Sequence, residues 1–419
     1  MLMSEKVYVF GAGMIKFGKF LEKSIKALTG ECLDALLLDC EDKVTKKTIE
    51  SAWFSNSGWG IRDNQHCIRG QVALSANGID EIPMTNVENA CAGGSTAFHG
   101  AWTAIKAGLY DCALAIGVEK VYHEDHKQMM RSFITGTDVE QTTKLIEFLR
   151  AKAKKDEARR AKKYGESTPK ERSEDYSPFM DLYATHAKLH MKKYGTTQRQ
   201  IAAVAAKNHT NSSLNPLAQY TFPMTIEEVL SDKPVVYPLT RAMCAPVGDG
   251  AAAAILCSEK FLEENPNPRA VLVRASVLRS GSWRINTISK RTAAAAFAMA
   301  RLGPENIDIA EVHDATAFGE IHQIEQIGFC PEGQGGFFTE SGATALDGKI
   351  PVNTSGGLLS RGHPIGASGL AQIYELVTQL RGEAGDRQVK EPKIALAENG
   401  GGNIGPGEAA MCIHILEKV

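Results

Sequence analysis

Zinc-type cysteine pairs, long apolar runs and a surplus of either charge are all missing from this chain. Its nine cysteines, at positions 32, 40, 67, 91, 112, 244, 257, 330 and 412, never stand as C-x-x-C, and their number is odd. No metal site and no closed disulfide framework is therefore expected, and a reducing compartment fits. Lysine and arginine total 47 against 49 aspartate and glutamate, so no global basic field invites nucleic acid. No apolar run approaches the length that spans a bilayer. The chain opens almost directly into a strand-like segment without a basic-then-apolar leader, and its last residues, Leu416-Glu417-Lys418-Val419, are not a peroxisomal address. The expectation is a cytoplasmic protein that binds neither nucleic acid nor membrane.

What is present is apolar mass: 43% of 419 residues, enough to bury the cores of two or three domains. Strand-like and helix-like segments alternate, which predicts parallel sheets with helices on both faces. The order of segments repeats. A strand, the turn at Cys91, a helix, Gly108 and the apolar run 112–117 make one unit. A strand, the loop at His363, a helix through Leu380 and the run 393–397 make a similar one. A Pro/Asn cluster, Asn265-Pro266-Asn267-Pro268, has the composition of the linker between them.

The run Glu88-Asn89-Ala90-Cys91-Ala92-Gly93-Gly94-Ser95 carries a cysteine where a strand (residues 82–87) turns into a helix (residues 95–107). A thiol there sits near the positive end of a helix dipole and beside unpaired backbone N–H groups. Both favour thiolate over thiol and can hold an anionic carbonyl oxygen, so a depressed Cys91 pKa is expected. The small residues that follow would let an acyl group approach the backbone. The competing reading is a buried, inert cysteine.

Two histidine motifs lie far downstream. One is Val312-His313-Asp314-Ala315-Thr316-Ala317-Phe318; the other runs from Asn353 to Gly369 and contains Arg361-Gly362-His363-Pro364-Ile365-Gly366-Ala367-Ser368-Gly369. With Cys91 and the loop Glu398-Asn399-Gly400-Gly401-Gly402-Asn403-Ile404-Gly405, they resemble the active-site set of the thiolase superfamily, nearest to its sterol-carrier-protein-type branch. The resemblance starts at residues 7–13 and reaches the end of the chain. It includes Lys207-Asn208-His209, Asn215-Pro216, Gln219, Pro238-Leu239-Thr240-Arg241 and Gly248-Asp249-Gly250-Ala251.

The resemblance implies an α/β fold of two duplicated βαβαβ halves, stacked as a five-layer α/β/α/β/α core with a helical loop and lid insertion. Residues 1–120 would open the first half, 121–239 form the insertion, 240–268 close the first half and 269–419 make the second. Within the insertion, the charged stretch 140–163 reads either as a solvated surface helix or as a docking arm for a partner. Residues 181–187 look like the lid over acyl-CoA in relatives. His186, His190 and His209 read as packing or surface residues, with no metal spacing among them.

The implied chemistry is cleavage of a 3-ketoacyl-CoA by coenzyme A. Cys91 would attack the ketone, leaving an acyl group on sulfur and expelling a thioester enolate. His363 would take the proton of Cys91 and later that of CoA. His313, with a bound water, would donate to the enolate oxygen. Asp314 reads as a packing residue of its loop as readily as a catalytic one. A second oxyanion hole would use the N–H of Cys91 and an amide of the glycine loop, assigned to Gly405. Substrate or CoA contacts fall on Arg62, Arg241, Ala245 and Gly357, with Arg361 weaker; Trp53, Phe54, Trp59 and Phe98 could line an acyl pocket or simply pack in the core.

The second cysteine that thiolases use to protonate the enolate is absent: Ala315 follows His313-Asp314, and the glycine loop has none. Cys330 matches a family cysteine that is not catalytic. Water, His363 or Glu398 with a raised pKa could replace it, or the carbanion could need no dedicated donor. This variant set, with the charged insertion, is similar to the thiolases that convert 2-benzoylsuccinyl-CoA and CoA to benzoyl-CoA and succinyl-CoA. Such a protein would hold no tightly bound cofactor and use coenzyme A as co-substrate. It would form a homodimeric core and pair with a small subunit carrying a zinc ribbon and an OB fold, the zinc belonging to that partner. Two other readings are a thiolase-fold retro-aldolase, which tends to lack the nucleophilic cysteine, and a non-catalytic scaffold.

Overall fold

The computed structural model describes residues 5–125, 129, 133–144 and 178–419. Nine strands form one sheet in the order β3-β2-β4-β7-β1-β8-β11-β10-β9. Here β1 is Val7–Met14, β2 Ser51–Ser55, β3 Met84–Val87, β4 Cys112–Glu119, β7 Gly250–Ser258, β8 Val271–Ser280, β9 Ile309–Glu311, β10 Ile394–Ile404 and β11 Gly407–Lys418; a small hairpin joins β5 (Pro234–Val236) to β6 (Leu239–Thr240). The first five positions come from the first half of the chain and the last four from the second. The seam between them is β1 against β8, with two residue pairs, Tyr8↔Leu272 and Val9↔Val271.

Strand alternation builds the layers. In β4, Ala113 and Ala115 face the central core, while Leu114, Ile116 and Val118 face the outer one; β7 splits the same way between Ala252, Ala254, Leu256 and Ala251, Ala253, Ile255. In β1 the register shifts between Val9 and Gly11. Beyond this bulge the strand changes parity, so Val7 and Val9 face the centre before it and Ala12 and Met14 after it. The centre is filled by two helices, Gly93–Lys106 and Ser368–Arg381, whose Phe98, Ala101 and Ile105 meet Leu370, Ile373 and Leu376. Helices Ile25–Asp39 and Arg69–Ser75 cover the outer face of the first half. Helices Ile288–Ala300 and Ala317–Ile327 cover that of the second. Five layers result.

The expectation of parallel sheets is corrected. Among the strands of the described residues, β2 with β3 and β4, and β9 with β10, run parallel, and the other pairs in the large sheet run antiparallel. β7 re-enters the sheet after the long excursion 120–249 and lies antiparallel to β4 and β1; β10 and β11 form a hairpin whose tip is Gly405-Pro406. Burial on both faces gives antiparallel strands the unbroken apolar runs that parallel ones also show.

Between the halves, residues 265–270 follow helix Glu259–Glu264 and lead into β8. The Asp39 carboxylate at the end of the first outer helix binds Arg269 at 2.6 Å and Arg381 of the second central helix at 2.8 Å. Burial pushes the Asp39 pKa up, but Arg381, the Ala12 N–H and Arg269 outweigh it and hold the carboxyl below its usual range. Of the charged stretch 140–163, only residues 140–144 are among the described ones, and there Lys144 pairs with Glu140 in solvent.

Candidate active site

Cys91 sits in a single 3-10 turn, Ala90–Ala92, between β3 and the helix that starts at Gly93, two residues earlier than the sequence suggested. Ala90 has φ 48°, a costly value for a residue with a Cβ, and its N–H is tied to Glu88 Oε1 at 2.6 Å. The small residues after Cys91 admit another loop: a Cβ on Gly94 would lie 2.9 Å from the Gly366 carbonyl oxygen. That contact brings the His363 loop onto the turn that carries Cys91.

Cys91 Sγ lies 3.2 Å from His363 Nε2. The other ring nitrogen, Nδ1, is 2.7 Å from Ser368 Oγ, whose hydroxyl donates to the Pro364 carbonyl at 2.9 Å. Ser368 therefore accepts, His363 carries its proton on Nδ1, and Nε2 is left as the acceptor facing sulfur. His313 Nδ1 is 3.1 Å from the Asn399 side-chain amide nitrogen, which only donates, so the His313 proton is on Nε2. The two imidazole rings stand 5.4 Å apart at 81°. Sulfur and one nitrogen of each ring lie within 4.8 Å of one another, a set that could also hold a metal ion.

The electrostatics correct one expectation. Burial pushes the Cys91 thiol up to about 12, with Glu119 and Glu88 adding to the rise; the N–H groups of Gly402 and of Cys91 itself aim at the sulfur and only partly offset it. The helix terminus is real, but desolvation wins. Burial likewise pushes His313 down to about 4, and holds His363 well below its usual range with help from His313 and Arg361. At rest the site is a neutral thiol beside neutral imidazoles.

These groups open on a cavity of about 900 Å³. Phe179, Met180 and Tyr183 of helix Pro178–Tyr194 form part of its wall, as do Val121, Met129, Phe133, Leu359 and Ile365. Of the substrate contacts expected from sequence, Arg241 and Ala245 are on the wall, and Arg241 is engaged with Asp232 through bonds of 3.2 and 2.8 Å. Arg62 is not on it and pairs with Asp63; Arg69, one helical segment later, takes its place. Gly357 is buried where a Cβ would strike Asp314, and Arg361 is wholly buried against Glu311. Trp53, Phe54, Trp59 and Phe98 pack in the cores and none lines the cavity.

Two further assignments move. Gly405 lies at the hairpin tip against Trp283, whereas Gly402, three residues earlier, presents its N–H to Cys91. Glu398 is fully buried and accepts the His313 backbone N–H at 2.8 Å without reaching the cavity wall. Burial, with Glu408 and Asp314 nearby, raises its pKa well above the carboxylate range against the pull of that N–H. Asp314 holds the loop after it, accepting from Leu358 N at 2.6 Å and Asn208 at 2.8 Å. Cys330 is buried in the outer core of the second half, and His190 is a packing residue bound to Thr196 and Glu325. His209, read as packing or surface, bonds Ser360 but also lines the cavity. Among the described residues, no helix is long and apolar enough to cross a membrane.

Residues 7–260 match the thiolase N-terminal domain and residues 275–417 the thiolase C-terminal domain-like family. An acetyl-CoA acetyltransferase of Methanothermobacter thermautotrophicus is 36% identical over 98% of this chain and 99% of its own length. Human sterol carrier protein 2 is 35% identical over 94% of this chain and 69% of its own. Among solved structures, an Ltp2-ChsH2(DUF35) aldolase superposes with a TM-score of 0.74 at 19% identity, covering 99% of this chain and 98% of that one. Human mitochondrial 3-ketoacyl-CoA thiolase gives 0.70 at 16%, with the same coverage, and has also been solved with CoA.

Proposed function

The chain belongs to the thiolase family and is an acyltransferase of that type, and we propose that it cleaves 2-benzoylsuccinyl-CoA with coenzyme A, through a benzoyl group carried on Cys91, to benzoyl-CoA and succinyl-CoA. The observation that carries the mechanism is the 3.2 Å contact between Cys91 Sγ and the unprotonated nitrogen of His363, at the wall of a cavity large enough for an aryl ketone. The wide, largely apolar wall with Phe133, Phe179 and Met180 supports the aromatic substrate.

With both groups neutral at rest, the proton leaves Cys91 for His363 Nε2 as sulfur attacks the ketone carbon. The N–H groups of Cys91 and Gly402, already aimed at the sulfur, are the donors for the ketone oxyanion. The carbon–carbon bond then breaks and its electron pair moves into the thioester enolate, whose oxygen accepts a hydrogen bond from the Nε2–H of His313, which keeps its proton. The protonated His363 returns its proton to the enolate carbon, giving succinyl-CoA. Its Nε2 is then free to accept the thiol proton of incoming CoA, and that proton finally goes back to Cys91. One imidazole closes the proton balance, so neither the absent second cysteine nor Glu398 is required.

The test is mass spectrometry of the protein mixed with 2-benzoylsuccinyl-CoA in the absence of CoA. A benzoyl adduct on the Cys91 peptide supports the reading and its absence counts against it; the retro-aldolase reading, close to the aldolase named for one structural neighbour, predicts instead CoA-independent release of benzaldehyde and succinyl-CoA from the 3-hydroxy analogue of the same ester. A homodimer joined by a small zinc-ribbon/OB-fold subunit belongs to the same proposal, and the name of that neighbour, which pairs Ltp2 with ChsH2(DUF35), supports a second chain. Co-expression with candidate small chains followed by light scattering checks it, and a fully active protein with no second chain would end it.

A further inference from the structure

The cavity wall carries two arginines, and only one of them has its charge answered. Arg241 is held by both oxygens of Asp232. Arg69 makes no ion pair among the described residues: its Nη1 bonds the backbone oxygen of Asn56 at 2.5 Å and the Asn56 side-chain oxygen at 3.2 Å, and its Nε and Nη2 have no partner there. The carboxylates that share the wall are engaged elsewhere. Glu88 holds the Ala90 N–H and Ser57, and Glu408 takes a bond from Gln323. Arg69 is half-buried on a wall that also carries Ile61, Val121, Met129 and Phe133, and a guanidinium without a counter-charge is solvated less well there than in water.

The anchor of Arg69 is rigid. Asn56 is 1% exposed, follows β2 directly and donates to Val118 O at 2.8 Å and Glu119 Oε1 at 3.0 Å. It also sits near the chemistry, since the next residue, Ser57, contacts the carbonyl of Ala90, the neighbour of Cys91. Arg69 is thus tied through Asn56 and Ser57 to the turn that carries Cys91, whereas in CoA a whole pantetheine arm separates the thioester from the phosphates.

We propose that Arg69 is the subsite for a carboxylate on the acyl portion of the substrate, so that the enzyme selects 3-ketoacyl-CoA esters bearing a free carboxylate branch next to the bond that breaks. The planar fork left by Nε and Nη2 matches a carboxylate in two-point contact, which a lysine would not reproduce. This rests on the thiolase reading above and specifies its substrate class.

The experiment compares kcat/KM for 2-benzoylsuccinyl-CoA with that for the analogue whose carboxymethyl branch is a methyl group. Wild type should prefer the carboxylated ester by about 100-fold, the scale of a desolvated charge pair, and Arg69→Gln should erase most of that ratio through KM while Arg69→Lys restores only part. A second readout needs no variant: succinyl-CoA should inhibit wild type far more strongly than butyryl-CoA, which has the same carbon count and no carboxylate. A ratio unchanged in Arg69→Gln, or equal inhibition by the two esters, overturns the carboxylate subsite and leaves the thiolase reading intact. If wild type cleaves neither ester while a simple 3-ketoacyl-CoA acylates Cys91, the substrate reading itself falls and this subsite with it.

Discussion

Ser368 decides which nitrogen of His363 carries the proton and which is left bare toward Cys91. Its Oγ is committed as a donor to Pro364, so it can only accept from Nδ1, and the basic nitrogen is left pointing at Cys91. Ser368 begins the second central helix, so the base is oriented from the buried middle layer of the fold.

Ser368→Ala should free the ring to take the other tautomer. Single-turnover acylation of Cys91 should slow by about 10-fold, short of the 10²–10⁴ expected when the base is lost outright in His363→Ala. Rapid-quench measurement of acyl-enzyme separates the two; an unchanged rate in Ser368→Ala would show that the serine merely packs.

His313→Ala should fail in a different step. Loss of one donor to the enolate oxygen predicts cleavage slower by about 10²–10³, while thiol activation persists. Benzoyl transfer from a pre-formed acyl-enzyme to CoA makes no enolate, so it should survive in His313→Ala and collapse in His363→Ala. Equal loss of both half-reactions in the two variants would contradict the division of labour.

With its pKa raised to about 12, Cys91 is a thiol at neutral pH. Iodoacetamide should alkylate it slowly near pH 7, more slowly than the exposed Cys67, and the rate should climb as pH rises toward 12 because the thiolate fraction grows with pH. Peptide mapping across pH reads this directly. A pH-independent, fast reaction of Cys91 would mean a resting thiolate.

Asp39→Asn should destabilise the protein by about 2 kcal/mol near neutral pH, the scale for hydrogen bonds to charged groups. The folded-state pKa of Asp39 is depressed, so its contribution is fully present above the unfolded value of about 3.9 and is lost as pH falls through the lower folded value. The difference in melting temperature between wild type and Asp39→Asn should therefore shrink only in strongly acid buffer. A gap that is the same at acid and neutral pH would assign the effect to packing instead.

Cys91, His313 and His363 could be grouped beforehand because their strings resemble one known active-site set, and the structure brings the three side chains together; Cys91 and His363 meet through Gly94 and Gly366. The alternation of apolar segments of strand and helix length gave the α/β class, while the five layers came from the family resemblance. Strand direction was not, because β7 returns from an excursion whose exit point no local pattern reveals. Arg62 was named and Arg69 missed because sequence does not show which of two short neighbouring helices opens on a cavity. The glycine-loop amide fell on Gly405 rather than Gly402 for want of the hairpin register. The thiol pKa was misjudged in sign, since the dipole of a helix is visible in sequence and the depth of burial is not.

The seam at β1 and β8 has a consequence for how this molecule could be divided. Two backbone pairs join the two halves of the sheet there, while the two central helices and the triangle of Asp39, Arg269 and Arg381 hold the halves side to side. Cohesion therefore runs across the broad buried face and owes little to the covalent thread at residues 265–268. A gene severed at that point should yield two polypeptides that find each other during co-expression and assemble a working pair, with nucleophile and base arriving on separate chains.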